Sequence, residues 1–277
     1  VSNRVKARKK ADPEMGPPVT LAYVYGYNVT HSWHRSIVEL IGWDLANSGS
    51  VLQGGTIAMH CGTDGLVEAR NKAVEVFLDE KKADWLFWID TDMGFPPDTV
   101  DALLAAADPE ERPMVGGLCF AATEIESDGL GGFKVRPTPT IYDWAKVPVY
   151  DDIEVGGRRV RKHLGDHMGF AVRWNYTRDV VTQVAGTGSA CVLIHRSVFE
   201  KVEEKHGTWY KRIPNPTTGQ LMSEDLSFCM RVADAGFPIY VHTGVKTNHQ
   251  KLQWVSETVY WRDRAAEDAL LQVVKTT

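Results

Sequence analysis

Cysteine is scarce and scattered in this chain. There are 4 in 277 residues, Cys61, Cys119, Cys191 and Cys229, and no two stand at CxxC spacing. Three of them lie in apolar runs and read as small core residues. The spacing offers no disulfide framework and suits a reducing compartment. Long apolar runs are missing too, since none approaches the ~20 residues that cross a bilayer. The first residues, VSNRVKARKK, lack the apolar core of a secretory signal. A cytoplasmic location is the expectation. An excess of positive charge is also absent: Lys and Arg number 31 against 36 Asp and Glu, a formal charge of −5. That excludes a bulk polyanion binder and leaves room only for a local basic groove. No internal repeat and no low-complexity tract is present.

What is there is ordinary globular composition, 43% hydrophobic and 24% charged. A chain of this length buries roughly three quarters of its unfolded surface, so it needs neither metal nor disulfide merely to fold. Residues 1–18 are polar, basic and then Pro-rich, and read as a flexible basic arm. Residues 19–277 read as one large α/β domain.

From Val19 the pattern alternates between strand and helix. Val19–Tyr25, Gly55–Met59, Trp85–Ile89 and Met114–Phe120 are strand-like. Between them, Ser32–Asn47 repeats apolar residues at helical spacing, and Asp64 can cap a helix whose inner face holds Leu66, Ala69, Ala73, Val74, Phe77 and Leu78. Pro97 suits the first turn of a further helix running to Ala107. This alternation predicts a mostly parallel sheet with helices on both faces. After Phe120 the rhythm breaks. Ile153–Val155, Gly156-Gly157 and Arg158–Val160 predict a small β-hairpin insertion. Val180–Ala185 and Ala190–His195 are strand-like. Ser197 with Glu200 predicts a capping box. Glu224–Ala235 reads as a helix, Ile239–Val241 as a strand and Ser256–Lys275 as a closing helix.

The strongest local signal is Trp85-Leu-Phe-Trp-Ile-Asp90-Thr-Asp92-Met-Gly-Phe-Pro-Pro. An apolar strand ends in two carboxylates spaced i, i+2. In an open α/β sheet, ligands bind beyond the carboxyl ends of the strands. Two acids there make a hard, oxygen-rich site for Mg²⁺ or Mn²⁺. A diphosphate leaving group needs such a cation to neutralise its developing charge. A DxD alone also occurs as a solvated loop with capping acids, and its place after WLFWI is what gives it weight.

Asp64–Pro97 resembles the donor half of GT-A-fold glycosyltransferases, whose nucleotide-binding α/β sheet ends in a DxD motif. In that family an Ala-Arg-Asn element opens the helix before the DxD strand, and Ala69-Arg70-Asn71 stands here. The resemblance implies that Asp90 meets the ribose or sugar and shares the metal with Asp92. Arg70 and Asn71 are implied to lie near the nucleotide or diphosphate, with Asp64 also counted among the donor-binding residues. By itself Arg70 reads equally as a surface helix residue. Residues 19–120 would be the nucleotide-sugar half and 121–277 the acceptor half. Within the family the chain looks most like bacterial and bacteriophage members, so the host cytoplasm would be its location if it is a phage protein.

The second half continues the resemblance. Gly186-Thr187-Gly188-Ser189 is similar to the family's glycine turn, and glycine lets backbone approach a sugar closely. By itself it is an ordinary tight turn. Ser223-Glu224-Asp225-Leu226 resembles the acidic helix start that supplies the base in inverting members. Asp225 is the implied base and Glu224 the second choice, while acids in a first helical turn also stabilise the helix dipole. His249 is implied to complete the metal site, with His242 as competitor, and an imidazole ligand favours Mn²⁺.

Trp209 and Tyr210 precede the acids in a Pro-rich loop with Lys211 and Arg212. They read either as platforms for a sugar face or as apolar anchors of the loop. Arg158, Arg159, Arg161 and Lys162 make a basic arm that is either solvated or a contact for an anionic acceptor. Together these readings give a metal-dependent glycosyltransferase using a UDP-, GDP- or dTDP-linked sugar. Its hydroxyl acceptor sits on protein or glycan, with a modified DNA base ranked below them. The alternatives are a nucleotidyltransferase using the same acids and a non-catalytic sugar-binding protein of the same fold.

Overall fold

The computed structural model describes residues 15–127, 133–155, 158–214, 219, 221–251, 257 and 264. The expected arm over 1–18 and the closing helix over 256–275 lie outside the described residues, apart from Met15–Pro18 and the helical Glu257 and Arg264. In chain order come β1 (Val19–Tyr25), α1 (His31–Ala46), α2 (Ser50–Gly54), β2 (Thr56–His60), α3 (Leu66–Glu80), β3 (Trp85–Ile89), β4 (Met93–Gly94), α4 (Thr99–Ala106) and β5 (Met114–Leu118). Two antiparallel ladders follow, β6 (Phe120–Ser127) with β7 (Phe133–Pro139), and β8 (Ile141–Val155) with β9 (Arg158–Val172). Last come β10 (Val181–Val184), β11 (Gly186–Thr187), β12 (Cys191–His195), α5 (Arg196–His206), α6 (Glu224–Asp234), β13 (Ile239–Lys246) and β14 (Asn248–His249).

The central sheet has 7 strands in the order β10-β13-β5-β12-β3-β1-β2. β1, β2, β3, β5 and β13 share one direction, and only β10 and β12 oppose it. The sheet is therefore mostly parallel. β3 shows why it is covered on both faces. Its five residues are all apolar and all buried, and their period of two divides them between two cores. Leu86 and Trp88 pack with Phe77, Phe199 and Phe228 from α3, α5 and α6. Phe87 and Ile89 pack with Trp33, Leu40 and Leu103 from α1 and α4. Each such side chain stabilises the fold by about 1.5–3 kcal/mol through burial. Cys119, Cys191 and Cys229 are buried among these groups, and all four thiols are free. Among the described residues no helix is long and apolar enough to cross a membrane.

Several helix starts differ from the expected ones. α3 is entered through Gly65 at φ +94°, with no side-chain cap. The Gly65 carbonyl accepts the first helical bond from Ala69 N at 3.2 Å, and Asp64 stays exposed. Asp64 therefore does not cap. α4 begins at Thr99, after Pro97 rather than around it. α5 is capped by His195 and not by Ser197: the His195 ring accepts from Ser197 N at 3.3 Å, which starts the helix two residues early at Arg196. Arg196 in turn donates to the Phe77 and Leu78 carbonyls of α3 at 3.1 and 3.0 Å. That ends α3 without a glycine.

α2 has no counterpart in the expected elements. Its amides at Val51 and Leu52 are bound by the Asp44 carboxylate of α1 at 3.1 and 2.9 Å. Asp44 is buried for that reason. β13 runs five residues past the expected Val241. β8 and β9 are far longer than the short arms expected, and pair from Tyr142↔Val172 to Val155↔Arg158. Gly156 and Gly157 lie outside the described residues.

α2 sits so close to β1 that a Cβ on Gly54 would lie 2.1 Å from the Val19 carbonyl oxygen. Backbone cannot yield as a side chain can. Gly54→Ala is expected to lower stability by about 3 kcal/mol in urea unfolding. A loss under about 0.5 kcal/mol would mean that α2 moves freely over β1.

Candidate active site

The strands β1, β3, β5 and β13 all end on one edge of the sheet, and the acids follow β3 there. Met93 N donates to Asp90 O at 3.1 Å and closes a turn around Thr91 and Asp92. Three other segments hold this turn. Asp90 N donates to Ala190 O at 3.0 Å, and Gln250 N donates to Asp92 O at 2.8 Å. Thr30, the cap of α1, donates to Thr91 O from its amide at 3.0 Å and its hydroxyl at 3.1 Å. β4 then pairs with β14 in the register His249↔Met93. A histidine near the end of the described chain is thus fixed by backbone against the acids.

Arg70 lies at the centre. Its side chain is only 2% exposed, and it donates to Asp225 Oδ1 at 2.8 Å and Asp90 Oδ1 at 3.0 Å. The guanidinium also sits 5.6 Å from the Trp88 ring centre and 5.5 Å from that of Tyr210. Burial acts to lower the Arg70 pKa, but Asp225 and Asp90 overcome it and raise it above the ordinary value. Asp90 is a third exposed, deep in a cleft crowded by protein. Burial pushes its carboxyl up to about 6 against the pull of Arg70, and Asp225 and Asp92 add to the rise.

Asn71 faces the neighbouring loop. Its amide donates to Tyr210 O at 2.9 Å and accepts from Tyr210 N at 2.8 Å. Tyr210 stacks on Phe228 at 4.5 Å, and Trp209 donates to Phe199 O at 2.9 Å. Both rings are buried. They anchor the loop and present no face to a ligand. At the start of α6 the two acids part: Asp225 meets Arg70, while the buried Glu224 lies 3.6 Å from Arg212.

The second cluster is Asp92, His249 and Lys251. His249 Nε2 lies 2.9 Å from Asp92 Oδ2, and His249 Nδ1 lies 2.8 Å from Phe120 O. Both partners accept, so each ring nitrogen is placed to donate when it carries a proton. Burial acts to lower the His249 pKa, and its hydrogen bonds to Asp92 and Phe120 raise it. Burial acts to raise Asp92, but His249 and Lys251 hold its carboxyl down to about 2. Among the described residues no three His, Cys, Asp or Glu side chains form a closed metal cage. The donor set nonetheless fits a Mg²⁺ or Mn²⁺ ion shared with a ligand. Two ligands at right angles and ~2.1 Å from a metal stand about 3.0 Å apart, close to the Asp92–His249 separation. The Phe120 carbonyl orients the imidazole from behind, as the outer partner of a metal-bound histidine does.

The other expected site residues are placed as follows. A Cβ on Gly188 would lie 3.8 Å from Asp225 Oδ2, so this glycine borders the acid. Asp64 lies on an open pocket of about 430 Å³ with His60, Gly62, Glu68 and Asn71, whose lining does not include Asp90, Asp92 or Asp225. His242 faces Gly244 N from β13 at 3.1 Å and is not joined to Asp92. Thr30 and Lys251 are absent from the expected set. Lys251 carried a readable signal, since a residue two beyond His249 in extended chain shares its side. Thr30 carried none beyond its place at a helix start.

No protein-family model matches the chain, and no curated protein matches it. Among solved structures, A197 from STIV aligns with a TM-score of 0.43 and 15% identity, over 85% of this chain and 86% of that one. GalNAc-T7, crystallised with UDP, GalNAc and Mn²⁺, aligns with a TM-score of 0.48 and 11% identity, over 86% of this chain and 44% of that one. Likenesses this loose transfer no site residue.

Arg70→Met would leave two carboxylates in the cleft without their shared cation. Stability is expected to fall by about 3–5 kcal/mol, against about 1–3 kcal/mol for Asn71→Ala, which releases one backbone donor and acceptor pair. Denaturant unfolding of both variants checks the ranking, and a harmless Arg70→Met would show that the acids repel too weakly to need it.

Proposed function

We propose that this chain is a metal-dependent glycosyltransferase of the GT-A type that moves a sugar from a nucleotide donor to a hydroxyl acceptor. The observation that carries the reading is the meeting of Asp92 and His249, 157 positions apart, beside the Asp90–Arg70–Asp225 bridge. A binding module has no need of an acid–imidazole pair and a separate pair of bridged acids along one strand edge. Group transfer from a diphosphate needs both: one cluster for the leaving group and one for the incoming hydroxyl.

In this reading Asp92 and His249 hold Mn²⁺ or Mg²⁺, with Asp90 beside them meeting the ribose or sugar. The ion, when bound, neutralises charge on the departing diphosphate. His249 must release its Nε2 proton to take that role. Asp225 takes the proton from the acceptor hydroxyl, through Oδ2, since Oδ1 is bound by Arg70. Glu224, turned toward Arg212, is the second choice. The base assignment applies to inversion. Arg70 acts by positioning Asp90 and Asp225, because its burial shields it from the diphosphate, and Asn71 positions Tyr210 beneath it. Asp64 and Gly188 remain assigned to the donor side, Asp64 on the polar pocket and Gly188 beside Asp225. The β8–β9 ladder is read as the insertion of the acceptor half. The net charge of −5 favours a hydroxyl on protein or glycan over one on DNA.

Two measurements test this. A thermal-shift panel of UDP-, GDP-, dTDP- and CDP-sugars with and without Mn²⁺ is expected to show Mn²⁺-dependent stabilisation by one donor class, lost in Asp92→Ala. If calorimetry finds that Asp92→Ala binds nucleotide diphosphate unchanged, the metal role is removed. Asp225→Asn is expected to keep donor affinity and lose roughly 10²–10⁴-fold in transfer rate. Retained turnover would move the base elsewhere.

A further inference from the structure

His249 and Lys251 end on the same atom. Lys251 Nζ lies 2.6 Å from Asp92 Oδ2, the oxygen that His249 Nε2 meets at 2.9 Å. The residue between them is tied down at both backbone and side chain. Gln250 N donates to Asp92 O at 2.8 Å, and Gln250 Oε1 accepts from Ser32 N at 3.4 Å. The two side chains differ in how they are held. His249 is 18% exposed and bound from behind by Phe120 O. Lys251 is 41% exposed on a flexible four-carbon stem, and it pairs with Asp92.

We propose that Lys251 is a built-in counter-cation for Asp92, seated on the carboxylate while no divalent ion is bound. Metal binding is then an exchange in which the Lys251 ammonium gives up Asp92 Oδ2. This rests on the reading of Asp92 and His249 as metal ligands. The physical ground is crowding of like charge. A divalent ion at about 2.1 Å from Oδ2 and an ammonium at 2.6 Å from the same oxygen would sit within a few ångströms of each other. Their repulsion in a partly buried site exceeds what one carboxylate returns. His249 is anchored and Lys251 is not, so the lysine leaves. In both states the carboxylate keeps a cation, which is why an acid at this strand end is tolerated without metal. The divalent ion must outcompete a resident charge, so Asp92 binds it more weakly than two bare ligands would.

The test uses the full chain and Mn²⁺ alone. Lys251→Met keeps the stem and removes the charge. It is expected to bind Mn²⁺ about tenfold more tightly than the wild type, the scale of one charged hydrogen bond that no longer has to be broken. Loss of the free Mn²⁺ paramagnetic signal reads this directly. In the wild type, Mn²⁺ is expected to raise the acetylation rate of Lys251 several-fold, measured by mass spectrometry, with Lys72 and Lys201 unchanged as internal references. Equal Mn²⁺ affinity in both proteins with unchanged Lys251 labelling would overturn the exchange while leaving the metal site standing. Failure of both proteins to bind Mn²⁺ would remove the metal reading and the exchange with it. If Lys251→Met does not fold, the labelling of the wild type decides alone.

Discussion

A guanidinium sealed from water must find its counter-charges inside the protein, and Arg70 finds two. One is Asp90, at the end of the central strand β3. The other is Asp225, in the first turn of α6. The bridge therefore joins three elements far apart in sequence and sets the spacing between two carboxylates that would otherwise repel. Trp88 and Tyr210 flank the cation with aromatic faces, and Asn71 fixes Tyr210 by its backbone. The chemistry proposed for the cleft depends on this bridge more than on any single acid, because it decides which oxygen of each carboxylate is taken.

The DxD turn is held by a different logic. Its carbonyls and amides are bound by Thr30, Ala190 and Gln250, from the cap of α1, the entry to β12 and the residue after β14. The turn is thereby specified by backbone contacts from three distant segments. The histidine is delivered in the same way, by the short β4–β14 pairing rather than by its own side chain. The proposed metal site needs this rigid delivery of two donors to one point, since the described residues supply no closed cage.

Much of this was legible in the residues. The WLFWI run announces a strand buried on both faces, since no other element buries five consecutive large side chains in so short a length. The acids after it, and the Ser223-Glu224-Asp225 helix start, are local patterns with local causes. What escaped was set by neighbours whose role the local pattern does not announce, some adjacent in the chain and some brought near only by the fold. Asp64 precedes a helix as a cap should, yet a left-handed Gly65 takes that place. Ser197 and Glu200 fit a capping box, but the preceding His195 ring reaches the amide first. α2 is invisible in its own five residues because its cap is Asp44 on another helix. Arg70 looks like one more surface arginine until the fold closes two carboxylates over it. Trp209 and Tyr210 were ambiguous between ligand platform and anchor, and only the packing against Phe199 and Phe228 resolves them.

β12 (Cys191–His195) lies between β3 (Trp85–Ile89) and β5 (Met114–Leu118) in the sheet, though it is made long after both in the chain's order of synthesis. The first 120 residues therefore cannot complete a sheet when they leave the ribosome. β3 and β5 wait as two open edges, and the buried arginine waits with only one of its acids. The stretch from Val19 to Phe120 is consequently not a detachable module: cutting the chain after Phe120 would leave a gap at the middle of the sheet, where unsatisfied strand edges invite self-association. The late-made strand is the keystone, and the protein becomes one cooperative body only once it is inserted.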